Sequence, residues 1–264
     1  MKQSHKLLFI ILFISLIAGA FFAGKESEKK EVKIAVENDV AFNETTKTPE
    51  TTRNCRPAVK SSRDNYVIGY GSLMNKDSRM ITVPDAKFAA PILVSNFERV
   101  WASRGTKSNA TYLLAIPNDG YLMNAIYYPS SAEDIQATDL REASYCRVKV
   151  PRKDILPLGI KSLPKGDYWM YVKSFSDAEF PTKDFPILQS YADVFLTGCL
   201  QTQGEFNLTE FGKLCFTTTY NWDLANWMND RSHPQYARYS DTTRKYTNQI
   251  DGIISRMGIN DDQL

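Results

Sequence analysis

The stretch VIGYGSLMN, Val67–Asn75, decides how the rest of the chain is read. A short apolar run ends in two glycines that straddle Tyr70, and Ser72 follows at once. Three known loop types share part of this pattern. A dinucleotide loop needs a third glycine, but Met74 stands at that position. A phosphate loop ends in Gly-Lys-Ser/Thr, and no such ending follows. A nucleophile elbow keeps one residue between its first glycine and its serine, whereas Ser72 directly follows Gly71. What remains is a glycine-permitted turn at a strand end that exposes consecutive backbone N–H groups. Such a turn holds a carboxylate or a developing oxyanion without a cationic side chain. It also serves as a plain tight exit from a strand.

Outward from this loop the chain is rich in β signals. Tyr66–Tyr70 reads as a short strand, and FAAPILVSNFERVWAS, Phe88–Ser103, as one long or bent strand. Thr111–Ile116 and Leu122–Tyr128 read as two strands separated by PNDG, a strong turn signal. In SSAEDIQATDLREAS, Ser130 with Glu133 three residues on forms a capping box ahead of good helix formers. Strands follow at Tyr145–Val150 and Tyr168–Lys173, and helical spacing at Ile187–Leu200, Leu208–Phe216 and Thr242–Met257. No internal repeat is visible. The expected fold is a single α+β domain over residues 65–264, with a small, mostly antiparallel β-core over about 66–200 and a helical extension over 201–264.

The segments before that domain read differently. Lys2 and Lys6 precede LLFIILFISLIAGAFFAG, Leu7–Gly24, an uncharged apolar run ending in small residues. Residues 1–24 are therefore expected to be a cleaved signal peptide or an uncleaved membrane anchor, and the remainder to be exported. Residues 25–64 are charged, Thr/Ser-rich and without sustained periodicity, which reads as a disordered linker. Export makes disulfides possible among Cys55, Cys146, Cys199 and Cys215, with three pairings open, or leaves some as buried small apolar residues. Sequons stand at Asn43, Asn109 and Asn207.

Lys plus Arg number 32 against 30 Asp plus Glu, so no basic excess attracts nucleic acid. Membrane contact is expected only through the N-terminal segment, if it is retained. The two histidines are His5, in the export segment, and His233. Ser–His–Asp and Cys–His mechanisms need a positioned imidazole, and catalytic zinc sites are usually His-rich, so this composition disfavours both. The carboxylate able to act with the loop is Glu142 in TDLREASYCRVKV, at a helix-to-strand junction. Partial burial there raises a carboxyl pKa and makes the group a usable proton shuttle. Asp139 lies on the same helical face. The plainer alternative is a solvated helix face with Arg141 as partner.

GYGSLM after a strand, followed about 70 residues later by Asp139, Arg141, Glu142, Tyr145, Arg147 and Val150, resembles the gamma-glutamylcyclotransferase-like family. NFERVWASRG and NAIYYPSSAEDI resemble the intervening strands and helix start, and the resemblance spans roughly residues 66–200. It implies a β-barrel-like core with surrounding helices. It further implies a lyase-type cyclisation that releases 5-oxoproline and an amine from a small gamma-glutamyl substrate, without metal or cofactor. Glu142 matches the family's catalytic glutamate, and Tyr70, Gly71, Ser72 and Leu73 its substrate-binding loop. Ser72 is then a donor and not a nucleophile. Tyr191, in PILQSY, matches a family tyrosine only loosely, standing five residues after Pro186 instead of four. Thr138 stands where the family usually has Leu. A second reading keeps the fold as a non-catalytic module binding an amino-acid-like ligand, and a third keeps it as a scaffold. Asp230, Arg231 and Tyr236, in the aromatic- and Arg-rich segment beyond the minimal domain, either close the site or pack the tail.

Overall fold

The structure, a computed structural model, describes residues 55–105 and 108–256. The signal or anchor segment 1–24 and the linker as far as residue 54 lie outside the described residues. Strands come first. β1 (Asn65–Gly69) is followed by a 3₁₀ turn at Ser72–Met74 and helix α1 (Lys76–Met80). β2 (Ala90–Gly105) and β3 (Ala110–Pro129) are long and antiparallel. Helix α2 (Ala132–Arg141) leads into β4 (Cys146–Val150), β5 (Ile155–Pro157), β6 (Asp167–Val172) and β7 (Ile187–Leu188). Helix α3 (Gln189–Phe206), helix α4 (Phe211–Thr217), β8 (Thr219–Tyr220), β9 (Trp227–Met228), α5 (Asp241–Arg244) and α6 (Thr247–Arg256) complete the order.

The main sheet runs β4-β6-β1-β3-β2-β5, open at both ends, with β7, β8 and β9 attached at its margins. Its long ladders are antiparallel except β1 beside β6. The architecture is thus α+β with a mostly antiparallel sheet, as the strand and helix patterns predict. β1 sits inside this sheet, which explains its uninterrupted apolar run: both faces are buried. α3 is buried on all sides from Gln189 to Leu200, so it shows no polar face there.

Three details differ from the sequence reading, and one open question is closed. PNDG does not reverse the chain, because β3 continues through it and both halves pair with β2. The register jumps from Ser95↔Leu122 to Phe97↔Pro117, so residues 118–121 bulge opposite Asn96. The turn chemistry is used for that bulge, with Gly120 and Asn96 at positive φ. The capping box belongs to Ser131 and Asp134, one residue later than expected. Helices at 187–200 and 242–257 shift or split, into β7 plus α3 and into α5 plus α6. Last, Cys55–Cys146 and Cys199–Cys215 are both disulfides, leaving no free thiol among the described residues.

The described end of the linker, residues 55–64, is tied to the sheet. Besides the Cys55–Cys146 bond, the Arg147 N–H donates to the Cys55 carbonyl at 2.8 Å. Arg56 donates to the carbonyls of Glu142 at 3.1 Å and Tyr145 at 3.3 Å. Among the described residues no helix is long and apolar enough to cross a membrane.

Candidate active site

The loop after β1 is held from both sides. Beneath it, Arg99 on β2 is fully buried and donates to the Tyr70 carbonyl at 3.2 Å, the Asn124 carbonyl at 2.7 Å and the Cys215 carbonyl at 2.8 Å. Thr218 and Thr219 hydroxyls and the Asn124 amide oxygen accept its other donors. Among the described residues no carboxylate meets it, and burial lowers its pKa to about 9. Above the loop, α3 crosses so closely that a Cβ on Gly198 would lie 2.3 Å from the Asn75 nitrogen. Glycine is required for that approach, since real Cβ atoms do not come so near backbone.

The residues singled out in the sequence take distinct places. Tyr70 turns its ring inward and donates its hydroxyl to the Tyr171 carbonyl at 2.6 Å, so it supports the loop. Leu73 is buried in the core cluster. Gly71 faces Tyr191: a Cβ there would stand 2.9 Å from the Tyr191 hydroxyl. Tyr191, the third residue of α3, thereby reaches the loop despite its irregular spacing from Pro186. Ser72 Oγ accepts from Arg141 Nη2 at 3.0 Å, and Tyr236 is a further hydrogen-bond partner of that hydroxyl. The N–H groups of Gly71, Ser72 and Leu73 have no protein acceptor among the described residues.

Glu142 is the C-cap of α2, where the helix ends and the chain turns into β4. Its Oε1 lies 3.1 Å from Arg141 Nε, and its side chain is 18% exposed. Burial raises its pKa, while Arg141 and then Arg238 oppose the rise. Arg141 thus joins the two sequence motifs, touching Glu142 with Nε and Ser72 with Nη2. Asp139 has a different task. Arg147 reaches it at 2.9 Å, and Tyr171 donates to it at 2.7 Å, so the solvated face with Arg141 as its partner is not what forms.

Around Glu142 stand phenols. Tyr191 packs against Tyr112 and Tyr236, each at 4.8 Å between ring centroids, and against Trp101 at 5.5 Å. Burial raises the pKa of Tyr70, Tyr145 and Tyr191, with Glu142 adding to each. These hydroxyls therefore stay protonated and act as neutral donors or acceptors. Tyr112 and Arg238 are neighbours of the site that sequence reasoning did not name; Tyr145 stood in the second motif, and Tyr236 was left open between closing the site and packing the tail. For Tyr236 and Arg238 the signal was the density of Tyr and Arg in the segment after α4. The one described histidine, His233, is exposed and meets only Ser232 Oγ at 3.2 Å.

A cavity of about 390 Å³ lies at the opposite, N-terminal end of α2, lined by Arg63, Asp64, Tyr66, Asp85, Ser130 and Asp134 among others. It contains none of the loop residues or Glu142. Its acids outnumber its one arginine, and the helix end is already capped, so it does not suit a carboxylate. Among the described residues no cluster of three or more His, Cys, Asp or Glu is placed to hold a metal.

No family model matches the chain, and no curated protein matches it. Similar solved structures exist. One is a gamma-glutamyl cyclotransferase, 11% identical, covering 70% of this chain and 99% of its own, with TM-score 0.47. Another is YkqA from Bacillus subtilis, 14% identical, covering 60% and 56%, with TM-score 0.44. A third is a yeast gamma-glutamyl cyclotransferase specific to glutathione, 15% identical, covering 60% and 98%, with TM-score 0.36. Given these low scores, the functional reading rests on the side chains described above.

Proposed function

We propose that the chain is an exported gamma-glutamyl cyclotransferase, cleaving a gamma-glutamyl amide to 5-oxoproline and a free amine. The observation that carries the reading is that Arg141 brings Glu142, a carboxylate with raised pKa, onto the glycine loop at Ser72. The motif resemblance joins the same two segments.

The chemistry needs little else. The substrate's α-amine and its side-chain carbonyl are already in one molecule, and well-oriented intramolecular reactions reach effective molarities of about 10⁵–10⁸ M. Glu142 takes a proton from the α-ammonium, and the freed amine nitrogen attacks the carbonyl carbon. The resulting oxyanion is held by the free N–H groups of residues 71–73 and by neighbouring hydroxyls. The attacking nitrogen loses its second proton, the departing nitrogen takes up protons by way of Glu142, and the old C–N bond breaks. Four nitrogen-bound protons enter and four leave: one on the lactam, three on the released ammonium. Ser72 acts as a donor in this scheme, since the one described imidazole, His233, is exposed and bonds only Ser232. Export is supported by the Leu7–Gly24 run and by the two disulfides, which persist in oxidising compartments.

The test compares the full chain with Glu142→Gln on a panel of gamma-glutamyl amides, assaying 5-oxoproline. The variant is expected to lose about 10²–10⁴-fold in rate. Equal release by both proteins would remove Glu142 as the shuttle. No release by the folded parent would leave the fold as a binding module.

A further inference from the structure

The C-terminal segment delivers a second guanidinium beside Arg141. Arg238 Nη1 donates to the Ser78 carbonyl at 2.8 Å and Nη2 to Thr82 Oγ1 at 3.4 Å. Arg141 uses the same two acceptors, at 2.9 and 3.2 Å, so the two cations stand side by side. Their donors are spent very differently. A guanidinium has five N–H groups. Arg141 places all of them: two on these acceptors, one each on Ser72 Oγ and Ser78 Oγ, and Nε on Glu142. Arg238 places two, leaving Nε and one hydrogen on each terminal nitrogen without a protein acceptor among the described residues. Among the described residues no carboxylate is within ion-pair distance of it.

Charge points the same way. Two guanidiniums face one carboxylate while Glu142 is ionised, and none once Glu142 has taken the substrate's proton. The α-carboxylate of the gamma-glutamyl half answers one positive charge. The other has no counterpart among the described residues. Arg238 is half-buried, and its free donors form the planar fork that matches a carboxylate bidentately.

We infer that Arg238 reads a carboxylate on the leaving half of the substrate, so that the released amine is an amino acid or peptide with a free carboxylate and not a simple amine. This rests on the cyclotransferase reading. Arg238 comes from the segment that anchors to α3 through Asp230, outside the β1–β4 motifs that hold the gamma-glutamyl end. It is therefore placed to vary with the leaving group while the shared half stays unchanged.

The experiment pairs gamma-glutamyl-alanine with gamma-glutamyl-alaninamide, which differ at that carboxylate alone. Turnover is measured on the full chain and on Arg238→Gln and Arg238→Lys. Binding of both ligands is measured by calorimetry on the Glu142→Gln protein, with and without Arg238→Gln. The parent is expected to prefer the carboxylate by about 10–10²-fold in kcat/KM and in affinity, the range of a charged hydrogen-bonded contact. Arg238→Gln should bring the ratio near one, and Arg238→Lys should restore part of it. A binding preference that vanishes with Arg238→Gln, without any 5-oxoproline, would uphold the carboxylate contact and sink the reaction. A ratio near one in the parent, or one that survives Arg238→Gln, would overturn the inference whatever the turnover.

Discussion

Two arginine clusters hold the C-terminal segment to the rest of the molecule, and they are built on opposite principles. At the clasp, Arg231 grips Asp193 of α3 through Nε at 2.7 Å and Nη2 at 2.8 Å, and reaches Asp251 of α6 at 2.7 Å. Asp193 is wholly buried and takes a further bond from Gln189. One cation meets two carboxylates; burial opposes the charge of Arg231, but hydrogen bonds to Asp193 outweigh it and raise its pKa. At the site, two cations meet one carboxylate. Burial and the neighbouring Arg141 lower the pKa of Arg238, and burial raises that of Glu142. The clasp spends its cation wholly on protein carboxylates, whereas the site leaves cationic charge and donors for a ligand. Asp230 links the two, accepting from Ser190 N at 2.7 Å and Ser190 Oγ at 2.6 Å, so that Tyr236 and Arg238 come to rest over the loop.

If the clasp is structural, Asp193→Ala should be the most damaging change. Removing one partner of a buried pair costs about 3–5 kcal/mol, to be read from denaturant unfolding. A loss under about 1 kcal/mol, typical of a surface pair, would erase the contrast. Cys55→Ser tests the site half alone. Opening that cross-link should cost about 2–4 kcal/mol in the same assay, and 5-oxoproline release should fall as Arg56 loosens from Glu142. Unchanged unfolding would place residues 55–57 outside the domain's cooperative unit.

Gly71→Ala sharpens the comparison in the opposite direction. Its Cβ would displace the Tyr191 hydroxyl, an easily moved side-chain end, so stability should change by about 1 kcal/mol or less. Misplacing the loop should still lower kcat/KM by about 10²-fold. A large stability loss with full activity would make the contact a packing device. The smallest effect concerns pH. A carboxyl whose pKa is raised by folding binds its proton more tightly in the native state, so its contribution is present below its unfolded value, near 4.5, and is lost as pH rises through the raised folded value. Unfolding measured across that window should show the parent losing ground to Glu142→Gln. Over the same window kcat/KM of the parent should climb as the base form appears. A flat difference between the two proteins would deny the raised pKa.

Much of this was legible in residue patterns. The apolar run of β1 and the glycines after it marked a strand and a special turn, because only φ/ψ freedom and burial are needed to read them. Glu142 was singled out from its motif and from the shortage of histidine, and the structure sets it 3.1 Å from Arg141, which also reaches the loop. The partner of Asp139 was not legible, because a helix-face argument sees neighbours three and four residues away, and Arg147 lies on the following strand. PNDG was misjudged for a similar reason: turn propensity is local, and whether a chain reverses depends on which strand its two halves meet.

By itself the sequence determined the α+β class, a glycine loop that matches neither a phosphate loop nor a nucleophile elbow, and the carboxylate that we propose moves a proton. These follow from composition, short-range spacing and motif. Only the tertiary structure decided that the cysteines pair as 55–146 and 199–215, that Arg141 joins loop to carboxylate, and that Tyr236 and Arg238 return from the far end of the chain to the site. Those outcomes depend on contacts between segments distant in sequence, where a charge's partner is settled by geometry and not by order along the chain.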